Sequence, residues 1–358
     1  MTVLSAPLIS LIVDVALLAM LLVIAVSIAV TRSLLASILL MSVYSLIVAV
    51  WFVVLDAPDV AFTEAVVGAG VSTIVLLGAT LLARAETEKR NWRNIIVPLL
   101  VALGTGAILL YAVTGLPEFG DAASPANQHV GRGYLETTPE EIGVPNVVTA
   151  VLASYRGFDT LGETVVIFAA GIGVALMLGF GERSLAGREP VISPRNGNHH
   201  VVLRVVAKLL IPLIALFAFY VQFHGDLGAG GGFQAGVILA VAVVLHALVF
   251  GLRDTMAAVK PGFARGVAAL GVLLYAGVGV VCIINGGDFL DYDRLFTPDI
   301  EAQIPDWILP SDKPHHWGQH FGILLVELGV LLTVAATMVT IFYGFAGRLT
   351  DDPQESGT

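Results

Sequence analysis

Apolar runs of nearly twenty residues recur from one end of this chain to the other, and each is long enough to cross a hydrocarbon layer of about 30 Å. Nine such runs can be traced: Leu8–Val30, Leu34–Leu55, Ala61–Ala83, Ile95–Thr114, Leu152–Phe180, Val201–Phe223, Phe233–Leu252, Gly262–Ile284 and Trp317–Phe345. Lipid offers no partner to a backbone N–H or C=O, so runs of this kind must be helices. The expected fold is therefore all-α, a polytopic transmembrane helix bundle. Only 13% of the residues are charged and 57% are hydrophobic, which excludes a soluble two-layer domain. The first run lacks a basic start and a small-residue cleavage site, and Asp14 interrupts it. It reads as a retained helix rather than a signal peptide.

Lys and Arg set the orientation. With the N-terminus outside, Arg32, Arg84, Lys89, Arg90, Arg93, Arg183, Arg188, Arg195, Arg204, Lys208, Arg253, Lys260, Arg265 and Arg348 fall on or near the cytoplasmic side. Arg132, Arg156, Arg294 and Lys313 fall outside. This bias supports an odd number of spans and a cytoplasmic C-terminus. The outer segments Pro117–Pro145 and Gly286–His316 are rich in Asp, Glu, Pro and Gly. Segment 181–200 reads as a cytoplasmic linker between a module of five spans, 1–180, and one of four, 201–350. Residues 351–358 read as a disordered tail.

The net charge of −10 comes without a basic patch for nucleic acid. The single cysteine, Cys282, excludes a disulfide framework and reads as a packed small hydrophobe. There is no Walker loop, dinucleotide fingerprint, nucleophile elbow or haem or iron–sulfur pattern. No cofactor is expected. His315-His316-Trp317-Gly318-Gln319-His320 lacks the Cys or spaced Glu that would complete a metal site, and Trp317 reads as an interface anchor.

The chemistry-bearing residues are acids at span ends. Asp14 lies in the first span, Asp56, Asp59 and Glu64 begin the third, and Asp159 and Glu163 open the fifth. Glu327 lies in the ninth, with no base near it in sequence. In the orientation above all of them fall in the outer half of the bilayer, although the spans alternate direction. In a helix, Arg156, Asp159 and Glu163 follow one another by a turn along one face. Ionised groups at membrane depth face protein or water and mark ion paths. The expectation is a hydrated cation vestibule lined by these acids and by Thr63, Thr160 and Thr164, because hard cations take oxygen ligands. Lys208 and His246 would then belong to a proton route toward the cytoplasm. The competing readings are a salt-bridged helix end for Arg156–Asp159, snorkelling for Lys208 and a helix-to-helix contact for His246. Gly228, Gly230, Gly231, Gly232 and Gly236 permit close backbone approach or a plain flexible turn. They are flanked by Phe223-His224-Gly225-Asp226 and Phe233-Gln234, which makes His224 a further candidate.

Several strings resemble Mrp-type Na⁺/H⁺ antiporters. Pro58-Asp59-Val60-Ala61-Phe62-Thr63-Glu64-Ala65 and Arg156-Gly157-Phe158-Asp159-Thr160-Leu161-Gly162-Glu163 resemble the carboxy-terminal region of the large A subunit. That region corresponds to two small separate polypeptides, the D and E subunits, of membrane-bound hydrogenases. Phe223-His224-Gly225-Asp226, Gly230-Gly231-Gly232-Phe233-Gln234-Ala235-Gly236 and Glu327-Leu328-Gly329-Val330 resemble the B subunit. Here Ala229 stands where that pattern usually has Pro, and Ala235 where it often has Gly. The resemblance implies a fusion of the A-subunit tail with B, in a bacterial or archaeal plasma membrane. It implies a non-redox component of a monovalent cation (Na⁺)/H⁺ antiporter rather than an enzyme. The large antiporter module that precedes this tail in the family is absent, so complex-I-like proton-translocating subunits are implied as partners. The same module in a redox-driven membrane arm, or a purely structural subunit, is the alternative. Gly68, Gly70 and Ser72, or Gly271, Gly277 and Gly279, offer small-residue faces for those partners or for packing within the chain.

Overall fold

A computed structural model describes residues 6–82, 93–178, 201–296 and 317–348. The expected linker and tail lie outside these residues, as do His315 and His316. Among the described residues, nine helices are long and apolar enough to cross a membrane. The all-α expectation therefore holds.

Helices α1 (Ala6–Val30) and α2 (Leu34–Val54) form an antiparallel pair, with the Ser33 hydroxyl capping α2 at Ala36 N. The third span begins at Pro58, three residues before its apolar run. Its α3 (Pro58–Glu64) widens into a π-helical stretch, Ala65–Val71, and continues as α4 (Ser72–Leu82). A π turn misaligns carbonyls with their usual N–H partners. Here the carbonyl of Ala69 takes two hydroxyls instead, Ser42 Oγ at 3.0 Å and Thr73 Oγ1 at 3.1 Å. α5 (Arg93–Val113) is exposed along nearly its whole length. The outer segment Pro117–Pro145 contains α6 (Gly131–Glu141).

The fifth span departs from the expected Leu152–Phe180. α7 (Val147–Ala150) runs into a second π stretch, Val151–Tyr155, and the backbone breaks at Arg156. The spanning helix α8 starts only at Gly157 and runs to Leu178. Orphan carbonyls at the break are satisfied by side chains. Thr160 Oγ1 donates to Leu152 O at 2.7 Å and Tyr292 Oη donates to Ala153 O at 2.7 Å. Burial pushes the Tyr292 hydroxyl well above its usual range, so it remains a donor.

Helices α9 (Val201–His224) and α10 (Gly232–Phe250) pack antiparallel. Gly251, at φ 108°, turns the chain into the short α11 (Leu252–Ala258), which leads to α12 (Pro261–Ile284). α13 (Trp317–Arg348) is the axis of the bundle and packs on α8, α10 and α12 and also on α4. Ile323, Val326, Val330, Leu331 and Val334 on it are at most 1% exposed. Small residues let α12 and α13 meet closely: a Cβ on Gly329 would sit 2.7 Å from the Gly271 carbonyl. Gly271 and Gly68 are thus used inside the chain, whereas a Cβ on Gly277 would meet open space.

Candidate functional site

The glycine run after α9 is a built turn. The backbone N–H of Gly231 donates to Val221 O at 3.2 Å, and Gly231 itself sits at φ 119°. A Cβ on Gly230 would lie 2.7 Å from the Val221 carbonyl, and one on Gly232 would lie 2.8 Å from Val330 Cβ. Only glycine brings this backbone so near α9 and α13. The approach places the first N–H of α10, that of Gly232, on Glu327 Oε2 of α13. Glu327 thereby meets the positive end of a 19-residue helix in place of a basic side chain.

One amide ties this turn to the first half of the chain. Asn146 Nδ2 donates to Asp59 Oδ1 at 3.1 Å and faces the carbonyls of Gly225 at 3.2 Å and Gly228 at 2.9 Å. Its Oδ1 caps α7, accepting from Val148 N at 2.9 Å and Thr149 N at 3.4 Å. The Asn146 N–H reaches Asp226 O at 3.0 Å, and the Thr149 hydroxyl reaches Gly225 O at 2.7 Å. Around this clasp, Gln234 Nε2 donates to Thr63 Oγ1 at 2.7 Å, and Thr63 donates to Asp59 O at 3.0 Å. Asp226 Oδ2 lies 3.5 Å from His320 Nδ1, an ion pair when the imidazole is protonated. Beside it, Ser154 donates to Gln319 at 2.8 Å and Gln319 to Asp293 at 3.0 Å. One helical turn from Gly225, on the buried face of α9 with Ala218 and Val221, lies Gln222, which is 3% exposed. Neither atom of its amide meets a protein partner among the described residues.

Of the expected site residues, the structure brings Asp59 and Glu327 to this one seam, with His224 at its edge. His224 stacks on Tyr220, with ring centroids 5.1 Å apart, and its Nε2 closes over Gly228. Glu64 lies against Ser45 and Gly68 at the start of the π stretch. Asp14 is separate and accepts a hydrogen bond from Trp51 Nε1 at 3.2 Å.

The Arg156-to-Glu163 stretch does not form a vestibule within the chain. Arg156 and Asp159 pair with each other at 2.6 Å, both more than half exposed, and Glu163 is exposed one turn further on. The local ion pair follows from their i,i+3 spacing. Lys208 is exposed on α9. His246 is a contact within the bundle: the Thr255 hydroxyl donates to Gly251 O, so at 2.7 Å it accepts from His246 Nδ1–H. No group of three or more His, Cys, Asp and Glu able to hold a metal ion occurs among the described residues.

Asn146 was not singled out from sequence; Asp226 and His320 stood there only within longer strings, not among the candidate site residues. Asn146 follows Pro145 and precedes Val147-Val148-Thr149, an N-cap signature that marks a helix start but not its cross-chain partners.

Carboxylates, hydroxyls, carbonyls and an imidazole gathered within a bundle of spans define a class: a polytopic membrane protein with a polar seam between its two halves. Residues 19–84 match the D subunit of a membrane-bound hydrogenase, 89–187 match its E subunit, and 202–340 match a domain related to the MnhB subunit of Na⁺/H⁺ antiporters. A putative antiporter subunit mnhB2 of Staphylococcus aureus (strain Newman) is 31% identical over 148 residues, 41% of this chain and 94% of that protein. The chain belongs to the Mrp-type antiporter subunit family, joining a region like the carboxy-terminal part of the A subunit to a B-like region; it is a multi-pass protein of the plasma membrane.

The probable A/B subunit of a K⁺/H⁺ antiporter from Rhizobium meliloti (strain 1021) is 28% identical over 245 residues, 61% of this chain. The chain spans only 24% of that relative. Among solved structures, the Mrp complex from Dietzia sp. aligns over 94% of this chain and 35% of its own, with TM-score 0.71 and 24% identity, and so shares the fold. A chain of the membrane-bound sulfane sulfur reductase, described as an archaeal respiratory membrane complex, aligns over 72% of this chain and 99% of its own, with TM-score 0.53 and 29% identity.

Proposed function

We propose that this chain is a non-redox subunit of a multisubunit monovalent cation/proton antiporter, with the seam between its two halves as its ion-handling element. Residues 1–180 act as the A-tail module and 201–350 as the B module, with the N-terminus outside and the C-terminus in the cytoplasm. Complex-I-like subunits supply the proton-translocating machinery, and this chain catalyses no covalent step. Na⁺ is the first cation to test, given the MnhB-related domain, and K⁺ the second, given the Rhizobium relative.

The observation that carries the reading is the placement of Glu327. A carboxylate held by a helix N-terminus, with no basic side chain against it among the described residues, keeps the capacity to exchange a proton or meet a cation. Asp59 and Asp226 are fixed by the same turn through Asn146. The buried Gln222 amide adds a donor and an acceptor suited to water. Glu163, Asp159, Arg156 and Lys208 are exposed on the isolated chain and act, on this proposal, toward neighbouring subunits.

The test replaces Glu327 with Gln in the complete complex and measures cation-dependent proton flux in everted membrane vesicles. Loss of flux with normal assembly supports the reading. Wild-type flux for Glu327→Gln, and separately for Glu64→Gln, Asp159→Asn and Glu163→Gln, leaves the chain a scaffold. A second reading places the same module in the membrane arm of a redox-driven complex, because the sulfane sulfur reductase chain aligns along nearly its whole length. Co-purification of a hydrophilic redox subunit would favour it.

A further inference from the structure

We propose that a cavity between α8, α12 and α13, remote from the polar seam, is a binding site for one anionic phospholipid. The cavity has a volume of about 320 Å³, at the small end of the roughly 300–1,000 Å³ of ligand sites. It lies at the end of the bundle opposite Glu327, where α8 ends, α12 begins and the last turns of α13 pass. The Tyr343 hydroxyl of α13 donates to Val259 O, just ahead of α12, at 3.0 Å and fixes that end.

The walls separate into an apolar trough and one charge. Phe168, Ile172 and Ala175 of α8 and Ala268 of α12 form the trough. Its back is closed where α8 meets α13 at a glycine: a Cβ on Gly171 would lie 2.6 Å from Thr337 Cγ2. Arg265 is the one charged side chain in the lining. It stands four residues inside the start of α12, about 6 Å below the helix end at roughly 1.5 Å per residue. From there a long arginine side chain can reach back to headgroup level, with the trough running on into the span. The Thr340 hydroxyl bonds Ala336 O of its own helix at 2.8 Å; the guanidinium, with five donors and a full charge, is the lining group that can tell headgroups apart by charge.

Charge favours an anionic lipid over a zwitterionic one. Arg204, Lys208, Arg253 and Lys260 lie at this same end, with Asp254 as the acid among them. Asp226, Asp288, Asp291 and Asp293 lie at the other end, where the described bases are Arg132, Arg156 and Arg294, the first two paired with Glu136 and Asp159. An apolar, half-open trough within the hydrocarbon layer suits an acyl chain, and the arginine at its mouth suits a phosphate whose headgroup adds no cation.

The test places the whole complex in nanodiscs with trace phosphatidylglycerol or phosphatidylcholine, each carrying a diazirine on an acyl chain. Crosslinks are mapped to peptides after irradiation. Phosphatidylglycerol should label the 168–175 and 265–268 segments about fivefold more than phosphatidylcholine, the effect of one basic side chain at an anionic surface. Arg265→Gln should bring the two lipids to parity while labelling persists, and Arg265→Lys should restore most of the preference. Ile172→Trp, at a wall position that is 43% exposed and so tolerant of bulk, should remove labelling by both. Equal labelling by the two lipids in the wild type overturns the headgroup assignment. No labelling of these segments, or their crosslinking to another subunit, overturns the site, because a partner helix then covers the trough.

Discussion

Replacing Asn146 separates its two duties. Asn146→Ala removes the cap of α7, worth about 1 kcal/mol. It also strips a donor from Asp59 and from the Gly228 carbonyl, each left short at about 1–3 kcal/mol, while the Gly225 carbonyl keeps the Thr149 hydroxyl. Some of these groups reach water after the change, so a net loss of about 3–4 kcal/mol is expected. Asn146→Asp keeps the cap, since a carboxylate oxygen accepts from Val148 and Thr149 as the amide oxygen does. It places a second carboxylate where Nδ2 now lies 3.1 Å from Asp59, a repulsion of about 5 kcal/mol at an effective dielectric of roughly 20. At neutral pH the Asp variant should therefore be the less stable of the two. Acid should restore it, because one proton shared between the carboxylates removes the repulsion. Thermal unfolding of the purified complex at neutral and acidic pH, followed by fluorescence-detected gel filtration, reads both effects. If Asn146→Asp matches or exceeds Asn146→Ala at neutral pH, with no recovery in acid, the Asp59–Asn146 contact does not organise this seam.

Other outcomes follow from the same geometry. Gly232→Ala should push α10 away from α13, costing about 1–3 kcal/mol of stability and weakening transport together with Glu327→Gln. Tyr292→Phe should lower thermal stability by about 1–3 kcal/mol, because the Ala153 carbonyl loses its donor, and should leave ion selectivity unchanged. Arg156→Gln breaks an exposed pair and should change stability by less than about 1 kcal/mol. A large fall in flux for that variant would show that Arg156 works at a subunit interface.

The spans were legible because a twenty-residue apolar run has one stable form in lipid. Glu327 stood out for the same reason, as an acid in such a run with no base near it in sequence. The partners of these residues were not legible. Asp59 and Asn146 are 87 positions apart and Gly232 and Glu327 are 95 apart, and no local period encodes such pairings. The glycine run hinted at a close approach without showing what would approach. Local rules also misled at the fifth span. Gly157 and Gly162 marked it as the least regular span, yet the break falls at Arg156, where Thr160 and Tyr292 satisfy the freed carbonyls from positions that hydropathy cannot rank. Arg156, Asp159 and Glu163 carry a recognisable string but lie on the surface of this chain, with Arg156 and Asp159 paired to each other rather than to the seam.

The Asn146 side chain belongs to the hydrogenase-E-like part, and it holds the D-like part through Asp59 and the B-like part through Gly225 and Gly228. In Staphylococcus aureus the B-like part matches nearly an entire polypeptide, so the equivalent grip would have to form between separately translated chains. Peptide linkage turns that encounter into a self-contained one, with equal copy number guaranteed by a single ribosome pass and a local concentration no free polypeptide reaches. Cutting the chain within 181–200, the linker expected from the sequence, should thus expose how much of the grip's strength is owed to tethering alone.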